Sequence, residues 1–313
     1  MPVPALLASL LLAAGAASAA PLAYVPNEKS GTVSIVDTGA QNVVGELRVA
    51  RRPRGIAVAA DGRRLYISDE DSNALVVVDL QRGVAERSIP LGRSPEGIAL
   101  SRDGRWLAAA VEEANAVALV DTASGTVAAT IATEGKNPEH TAFSPDGRWL
   151  YVTAEDGSQV DVVDLAARRQ VDRIAVGRRP RGVEFAPDGR RAYVACELDG
   201  TVHVIDTAAR RSVAQIRAGE FSNGVAMAPD GARVYVSSGR GASVAVIDTG
   251  SNQVIATVAV GQRPWNMALT PDGSRLYVAN GRSNSVSVID TVRLERIADV
   301  PVGAAPWGVA IAR

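Results

Sequence analysis

The sequence contains very little cysteine, histidine and aromatic residue, and each shortage excludes something. Cys196 is the only cysteine in 313 residues, so no internal disulfide can form and stability has to come from packing. Two histidines are too few for a multi-histidine metal site. Aromatic residues make up 4% of the chain and hydrophobic residues 47%, so we expect a core built mainly of valine, alanine, leucine and isoleucine.

The chain also lacks an excess of charge of either sign. Lysine and arginine number 33 and aspartate and glutamate 34, giving a formal net charge of −1. Such a chain has no overall field to attract nucleic acid or an anionic membrane, so nucleic acid is not expected as a partner without a local basic patch. The familiar motifs for haem attachment, phosphate-binding loops, serine hydrolases and zinc proteases are missing as well.

Long apolar runs are missing after residue 20, but the first 20 residues form one. They are uncharged, rich in alanine and leucine, and end in Ala17-Ser18-Ala19, a typical cleavage pattern. We therefore predict a secretory signal peptide over residues 1–20, cut after Ala19 or Ala20, and an exported, periplasmic protein, although no basic residue precedes the run. A short membrane anchor is the alternative, disfavoured because the run is short and dilute. No membrane span is predicted in residues 21–313.

An internal repeat runs through the rest of the chain. A strand-like phrase ending in aspartate recurs at spacings of 42 or 43 residues, and its copies end at Asp37, Asp79, Asp121, Asp164, Asp206, Asp248 and Asp290. A Pro-Asp-Gly-type turn and a proline-containing entry recur in the same register. Each repeat contains four short strand patterns separated by turn residues, which is typical of one blade of a β-propeller. The recurring aspartates are interpreted as turn residues that bind backbone amides.

The two ends of the repeat region carry complementary parts of one blade. The first copy, from LAYVPNE onward, has only the second, third and fourth strand patterns, and the chain ends on a lone first strand, PWGVAIAR. We therefore predict that residues 21–313 form a single all-β domain, a seven-bladed β-propeller of four-stranded blades. The C-terminal strand would join the three N-terminal strands, so that the closed ring leaves no exposed end.

Copies such as RLYVANGRSNSVSVID and WLYVTAEDGSQVDVVD resemble the repeats of YVTN-type seven-bladed β-propellers. The segments YVPNEKSGTVSIVDT, RPRGIAV, GTVHVIDTA and VGAAPWGVAIA are most similar to the exported propellers associated with PQQ-dependent alcohol catabolism. The resemblance implies a periplasmic propeller that accompanies quinoprotein dehydrogenases. It makes PQQ a candidate ligand, and a quinoprotein dehydrogenase or its cytochrome a candidate partner.

Candidate site residues lie where the first strand of each blade would meet the central channel. The residue after the recurring proline, or after Ser222 in one copy, varies around the ring as Arg54, Glu96, Glu139, Arg181, Asn223, Trp265 and Trp307. In two copies the glycine that follows is replaced, by His140 and by Asn266. A pure scaffold has no need for this set to vary. A second set of residues, on the same side of the propeller, lies at the end of the second strand of each blade. These residues are Glu28, Glu70, Glu112, Glu155 and Glu197, then Gly239 and Gly281.

The first set suits a small, planar, anionic ligand. Arg54 and Arg181 would grip carboxylates, and Trp265 and Trp307 would offer stacking faces. The hydrogen-bonding partners would be Glu96, Glu139, His140, Asn223 and Asn266. The structural alternative stays open: the arginines would then neutralise neighbouring glutamates while the tryptophans plug the channel.

The sequence therefore favours a non-catalytic binding or accessory module, with no catalytic residue and no metal ligand assigned. One alternative is a protein-interaction scaffold without a small ligand. The other is a metal-assisted hydrolase or lactonase that uses the glutamates at the mouth of the channel.

Overall fold

The computed structural model describes residues 20–312, so the predicted signal peptide lies outside the described residues apart from Ala20. These residues form seven four-stranded antiparallel sheets arranged as the blades of a propeller. The single helix among them is a three-residue 3₁₀ turn, Glu112–Ala114. None of the helical structure between residues 20 and 312 has the length and apolarity needed to cross a membrane. The prediction of an all-β, seven-bladed propeller is confirmed.

The strands, numbered β1–β28 in chain order, have nearly uniform lengths. Blade 1 contains β1 (Leu22–Asn27), β2 (Thr32–Asp37), β3 (Asn42–Leu47) and β28 (Ala310–Ile311). Blade 2 contains β4 (Pro53–Val58), β5 (Arg64–Asp69), β6 (Ala74–Asp79) and β7 (Val84–Pro90). Blade 3 contains β8 (Pro95–Leu100), β9 (Trp106–Val111), β10 (Ala116–Asp121) and β11 (Thr126–Ala132).

The remaining four blades repeat this order. Blade 4 contains β12 (Pro138–Phe143), β13 (Trp149–Ala154), β14 (Gln159–Asp164) and β15 (Arg169–Ala175). Blade 5 contains β16 (Pro180–Phe185), β17 (Arg191–Cys196), β18 (Thr201–Asp206) and β19 (Arg211–Arg217). Blade 6 contains β20 (Ser222–Met227), β21 (Arg233–Ser238), β22 (Ser243–Asp248) and β23 (Gln253–Ala259). Blade 7 contains β24 (Pro264–Leu269), β25 (Arg275–Asn280), β26 (Ser285–Asp290) and β27 (Glu295–Pro301).

The ring closes through blade 1, as predicted. β28 pairs antiparallel with β1, placing Ile311 opposite Ala23 and Ala310 opposite Tyr24. The Trp307 amide donates a further hydrogen bond of 2.9 Å to the carbonyl of Pro26. The last strand of the chain therefore completes the first blade as its innermost strand.

The hydrophobic core lies between blades, because each sheet is covered on both faces. Seven apolar clusters fill the seven blade interfaces, and they consist mostly of valine, alanine, leucine and isoleucine. The first strands of neighbouring blades pack on one another around the channel, while the fourth strands are largely exposed at the rim. Cys196 is fully buried in one interface, and burial raises the pKa of its thiol to about 12, so it is a small core residue.

The recurring aspartates have the structural role that the sequence indicated. The Asp61 carboxylate accepts a hydrogen bond from the Arg63 amide in the turn between β4 and β5. The Asp79 carboxylate accepts hydrogen bonds from the Gln81 and Arg82 amides after β6. These two kinds of turn lie on one face of the ring. The opposite face carries the loops between second and third strands and the crossings to the next blade.

Candidate functional site

The channel mouth is the end of the channel where the first strands begin, and it holds the predicted site residues. Its shape comes from a β-bulge that repeats in blades 2–7. In blade 2, Pro53 pairs with Asp69 and Ile56 with Ile67, so the first strand has one residue more than its neighbour. Bulges re-aim side chains at strand ends. This bulge lies directly at Arg54, the variable position predicted from the sequence.

Two of the variable residues, Glu96 and Trp265, are also held by a serine of the preceding blade. The Ser68 hydroxyl accepts a hydrogen bond from the Gly55 amide and donates one to the Glu96 carbonyl. Ser237 makes the corresponding bonds to the Gly224 amide and the Trp265 carbonyl. The backbone beneath the mouth is therefore fixed across blade boundaries, and the side chains above it vary on a rigid frame.

Arg54 lies among three glutamates. Its guanidinium is 3.2 Å from Glu28 and 2.8 Å from Glu70, and it also contacts Glu96. The side chain is 17% exposed. Arg52 completes this group by pairing with Glu28 at 2.8 Å and with Glu70 at 2.6 Å.

Arg181 repeats this arrangement three blades further on and is more deeply buried, with 7% of its side chain exposed. It lies 2.6 Å from Glu139, 3.0 Å from Glu155 and 3.0 Å from Glu197. Arg179 also contacts Glu155 and Glu197. Both predicted anion-gripping arginines are therefore already paired with protein carboxylates. Of the five glutamates that end second strands, Glu28, Glu70, Glu155 and Glu197 belong to these pairs.

A fifth arginine enters from blade 7. Arg263 reaches the Glu197 carboxylate at 3.1 Å, and its side chain passes over Gly239. An added Cβ at Gly239 would lie 3.2 Å from the Arg263 Nη1 atom, and one at Gly281 would lie 2.5 Å from the Trp265 Nε1 atom. The two copies that have glycine in place of the second-strand glutamate thus make room for Arg263 and Trp265.

The adjacent glutamates Glu96 and Glu139 titrate in opposite directions. Burial, together with repulsion by Glu139, raises the pKa of Glu96 to about 9 despite the attraction of Arg54. Burial also acts to raise the pKa of Glu139, but Arg181, His140 and Arg54 outweigh it, and this pKa is lowered. At neutral pH Glu96 therefore holds a proton and Glu139 is ionised, which reduces the negative charge at the mouth.

Aromatic rings occupy the other side of the mouth. The His140 ring stacks on Trp307 with centroids 5.3 Å apart and an angle of 7° between the planes. Trp265 stacks on Trp307 at 6.2 Å and 25°. His140 in blade 4 therefore crosses the channel to a ring supplied by blade 1. Trp307 is 5% exposed, whereas Trp265 is half-buried.

Several polar atoms beside these rings lack a hydrogen-bond partner. The pKa of His140 is lowered, mainly by burial. Arg181 also lowers this pKa, while Glu139 and the Asn266 amide act to raise it. Among the described residues neither ring nitrogen makes a hydrogen bond of good geometry: Nδ1 lies 3.9 Å from the Glu139 carboxylate, and the Asn266 amide lies beside the ring. Asn223 is 1% exposed and its side-chain oxygen is also unpartnered. Asn266 instead donates its backbone and side-chain amides to the Trp307 carbonyl at 3.3 and 3.4 Å.

The structure thus places all nine predicted residues at one end of the channel, in two unlike halves. The acidic and basic residues form an ion-paired half, and the aromatic residues with the two asparagines form the other. Arg52, Arg179 and Arg263 are not among the residues predicted from the sequence, although each directly precedes a recurring proline, and that register was the available signal. Within residues 20–312, no group of three or more histidine, cysteine, aspartate or glutamate side chains is arranged to hold a metal ion.

Comparison with known proteins bears on family and fold. A search of curated proteins found no match. Among solved structures, the hydrazine synthase of Kuenenia stuttgartiensis is 28% identical over 86% of this chain and 92% of that chain, with a TM-score of 0.79. A functionally unknown protein from Desulfotomaculum acetoxidans DSM 771 is 15% identical over 93% and 99% of the two chains, with a TM-score of 0.82.

A third similar structure is a candidate 6-phosphogluconolactonase from Bacteroides fragilis NCTC 9343. It is 18% identical over 96% of this chain and 99% of that chain, with a TM-score of 0.81. At such low identity this protein and the one from Desulfotomaculum share only the fold with this chain. The family model described as YNCE-like beta-propeller matches residues 2–312. The chain therefore belongs to the YNCE-like β-propeller family.

Proposed function

We propose that this protein is an exported, non-catalytic binding module that accompanies PQQ-dependent alcohol oxidation, and that its channel mouth binds a small planar anionic ligand such as PQQ. The observation that carries the ligand proposal is the stack of His140, Trp307 and Trp265, flanked by buried polar atoms without partners. The YVTN-type repeats and the apolar N-terminal run support the cellular setting.

Ring stacking supplies the attraction in this site. Trp265 is the half-buried end of the stack, supported by Trp307 and His140, and the Arg263 guanidinium lies 4.9 Å from its ring centroid. An incoming planar ring would stack on Trp265 by taking the place of that guanidinium. A planar ligand with an N–H or O–H group at its edge would donate to the side-chain oxygen of Asn223, which lies in the neighbouring blade 6. The mouth thus combines one apolar face with a few convergent polar atoms, as small-molecule sites do.

The ion-paired half contributes little net charge. Each guanidinium there already faces carboxylates, and a ligand carboxylate reaches Arg54 or Arg181 only by displacing a glutamate. Because Glu96 holds its proton, the remaining charges of the mouth nearly cancel. We therefore expect this half to orient an anionic ligand without attracting it strongly.

Isothermal titration of PQQ into the purified protein tests the ligand proposal. Trp265→Leu removes the accessible ring and should weaken saturable binding about tenfold, since stacking is worth roughly 1–2 kcal/mol. Trp106→Leu is the matched control, because Trp106 is also half-buried and lies on the opposite face. Absence of saturable binding to the wild type would rule out the ligand proposal. Equal losses in the two variants would remove the mouth as the site.

The partner in this proposal is a quinoprotein dehydrogenase or its cytochrome, which would meet the module at the loaded mouth. The enzyme alternative, a metal-assisted hydrolase or lactonase, has no specific support. The carboxylates it would use are paired with arginines, and the likeness to a candidate lactonase extends only to the fold.

A further inference from the structure

The face opposite the mouth carries a second concentration of arginine and tryptophan. It is formed by the turns between first and second strands and between third and fourth strands of blades 3, 4 and 5. We call this surface the arginine face, and it comprises Arg102, Arg105, Trp106, Arg148, Trp149, Arg168, Arg169, Arg190, Arg210 and Arg211.

Two tryptophans fix part of this surface across blade boundaries. Trp106 in blade 3 lies between Arg105 of its own blade, 4.8 Å from the ring centroid, and Arg168 of blade 4, at 5.8 Å. Trp149 in blade 4 lies in the same way between Arg148 at 4.5 Å and Arg210 of blade 5 at 4.4 Å. Stacking on an aromatic ring limits the motion of each guanidinium. Arg168 also donates a hydrogen bond to the Ala128 carbonyl at 3.1 Å, and Arg210 pairs with Asp172 at 3.2 Å. Arg105 and Arg148 are therefore the stacked arginines whose edges are available to a partner.

Four other arginines of this surface have no partner. Arg102, Arg169, Arg190 and Arg211 are exposed, and their side chains make no hydrogen bond or ion pair with any residue in the described range 20–312. Arg105 has only a distant carboxylate, Asp121 at 3.9 Å. The arginines that line the mouth are paired with carboxylates. Among the described residues, the other cations of these blades without a side-chain partner are Lys136 and Arg217, which are exposed on the mouth side.

The surrounding acidic residues indicate which kind of anion fits. Asp103, Asp146 and Asp188 alternate with the arginines, and each carboxylate accepts a hydrogen bond from a turn amide that holds it in place. A continuous phosphate backbone would meet these fixed negative charges. A folded or extended polypeptide can instead place separate carboxylates opposite separate arginines. Arginine and tryptophan are also the residues that most often dominate protein–protein binding energy.

A groove of about 530 Å³ lies beside the surface, towards blade 2, and its lining includes Asp61, Asp79, Asp103 and Glu86 together with Arg63 and Arg64. Glu86 is paired with Arg64 at 3.1 Å. Arg63 and Arg82 of blade 2 are exposed and have no side-chain partner among the described residues, so unpaired arginines continue into blade 2.

We infer that the arginine face is a docking surface for an acidic polypeptide, which it binds through unpaired guanidiniums and the two stacked tryptophans. This inference does not depend on the ligand proposed for the mouth, because the two surfaces share no residue. It gives the module two separate contacts, one at each end of the channel.

Fluorescence anisotropy with a fluorescein-labelled peptide of repeating Glu-Glu-Tyr units tests the inference. The triple variant Arg102→Ser/Arg169→Ser/Arg211→Ser should weaken binding about tenfold, because it removes three guanidinium–carboxylate contacts. The control triple Arg51→Ser/Arg217→Ser/Arg282→Ser changes the net charge equally at exposed arginines on the mouth side, and should bind like the wild type. Thermal melting of both triples confirms that they are folded.

Three outcomes overturn the inference. The first is no saturable binding of the peptide to the wild type. The second is an equal loss of affinity in the two triples, which would indicate attraction by net charge alone. The third is tighter binding of a fluorescein-labelled DNA duplex than of the peptide, with the same dependence on Arg102, Arg169 and Arg211. That result would assign the surface to nucleic acid.

Discussion

The two faces of this propeller use the same residue type in opposite ways. At the mouth, Arg54 and Arg181 are buried among glutamates: Arg181 pairs with three carboxylates, and Arg54 pairs with two and also contacts the protonated Glu96. On the arginine face, Arg102 and Arg211 are exposed and unpaired within the described chain. The difference arises from the ends of the second strands, where five blades place a glutamate and so supply the mouth with counter-charge.

This contrast shows that an arginine near a pocket does not by itself indicate an anion site. A buried guanidinium that is matched by protein carboxylates serves folding first, because either charge alone would be costly to bury. The aromatic half of the mouth is the part free to bind a ligand. The arginine face is the part free to bind an extended anion.

Removing a mouth arginine should have the largest effect. Arg181→Met leaves Glu139, Glu155 and Glu197 buried with one counter-charge fewer, and should lower the free energy of unfolding by about 3–5 kcal/mol. Arg211→Met, at an exposed and unpaired position, should change it by about 0.5 kcal/mol or less. Denaturant unfolding followed by circular dichroism measures both. Similar losses in the two variants would contradict the contrast between the faces.

A second effect on stability, which depends on pH, is expected from Glu96. Its pKa is raised from 4.5 to about 9 in the folded protein, so the folded state binds the proton more tightly than the unfolded chain does. The stability from this group is complete below pH 4.5 and is lost as the pH rises through about 9. Glu139, Glu112 and Glu70 oppose the ionisation of Glu96, and Arg54 favours it.

Glu96→Gln keeps a neutral side chain of the same shape and cannot ionise. Its melting temperature should therefore fall less than that of the wild type between pH 6 and about 9. The matched control is Glu113→Gln, since Glu113 is a half-exposed residue paired with Arg93 at the rim of the mouth. Parallel pH profiles of the wild type and Glu96→Gln, measured by differential scanning calorimetry, would show that Glu96 is ionised in the folded protein.

The fold was fully predictable from the sequence, because the repeat spacing fixes the blade number and the phase of the ends fixes the closure. The site was predictable only as a set of positions. The register of the recurring proline places Arg54, Glu139 and Trp265 at the same level around the channel. It does not give the distances between their side chains across the channel. The pairing of Arg54 with Glu28 and Glu70 depends on how closely neighbouring blades approach, which the sequence does not specify.

The position of His140 illustrates the same limit. Its register in the repeat places it beside Glu139 at the mouth but does not specify which blade its ring contacts across the channel. The structure stacks its ring on Trp307 of blade 1, with Asn266 alongside. The stacked arginines on the opposite face were not predicted. In the sequence Arg168 and Arg210 are ordinary turn residues, and only the structure shows that each packs on a tryptophan of the neighbouring blade.

The most direct test of the account is the salt dependence of the two binding reactions on the wild-type protein. Stacking at a mouth with nearly cancelled charge predicts that the dissociation constant of PQQ changes little between about 0.05 and 0.5 M salt. Contact with unpaired exposed arginines predicts that the affinity for the acidic peptide falls steeply over the same range. If the affinity for PQQ falls as steeply as that for the peptide, unpaired charge attracts both, and the proposed division between the two faces is wrong.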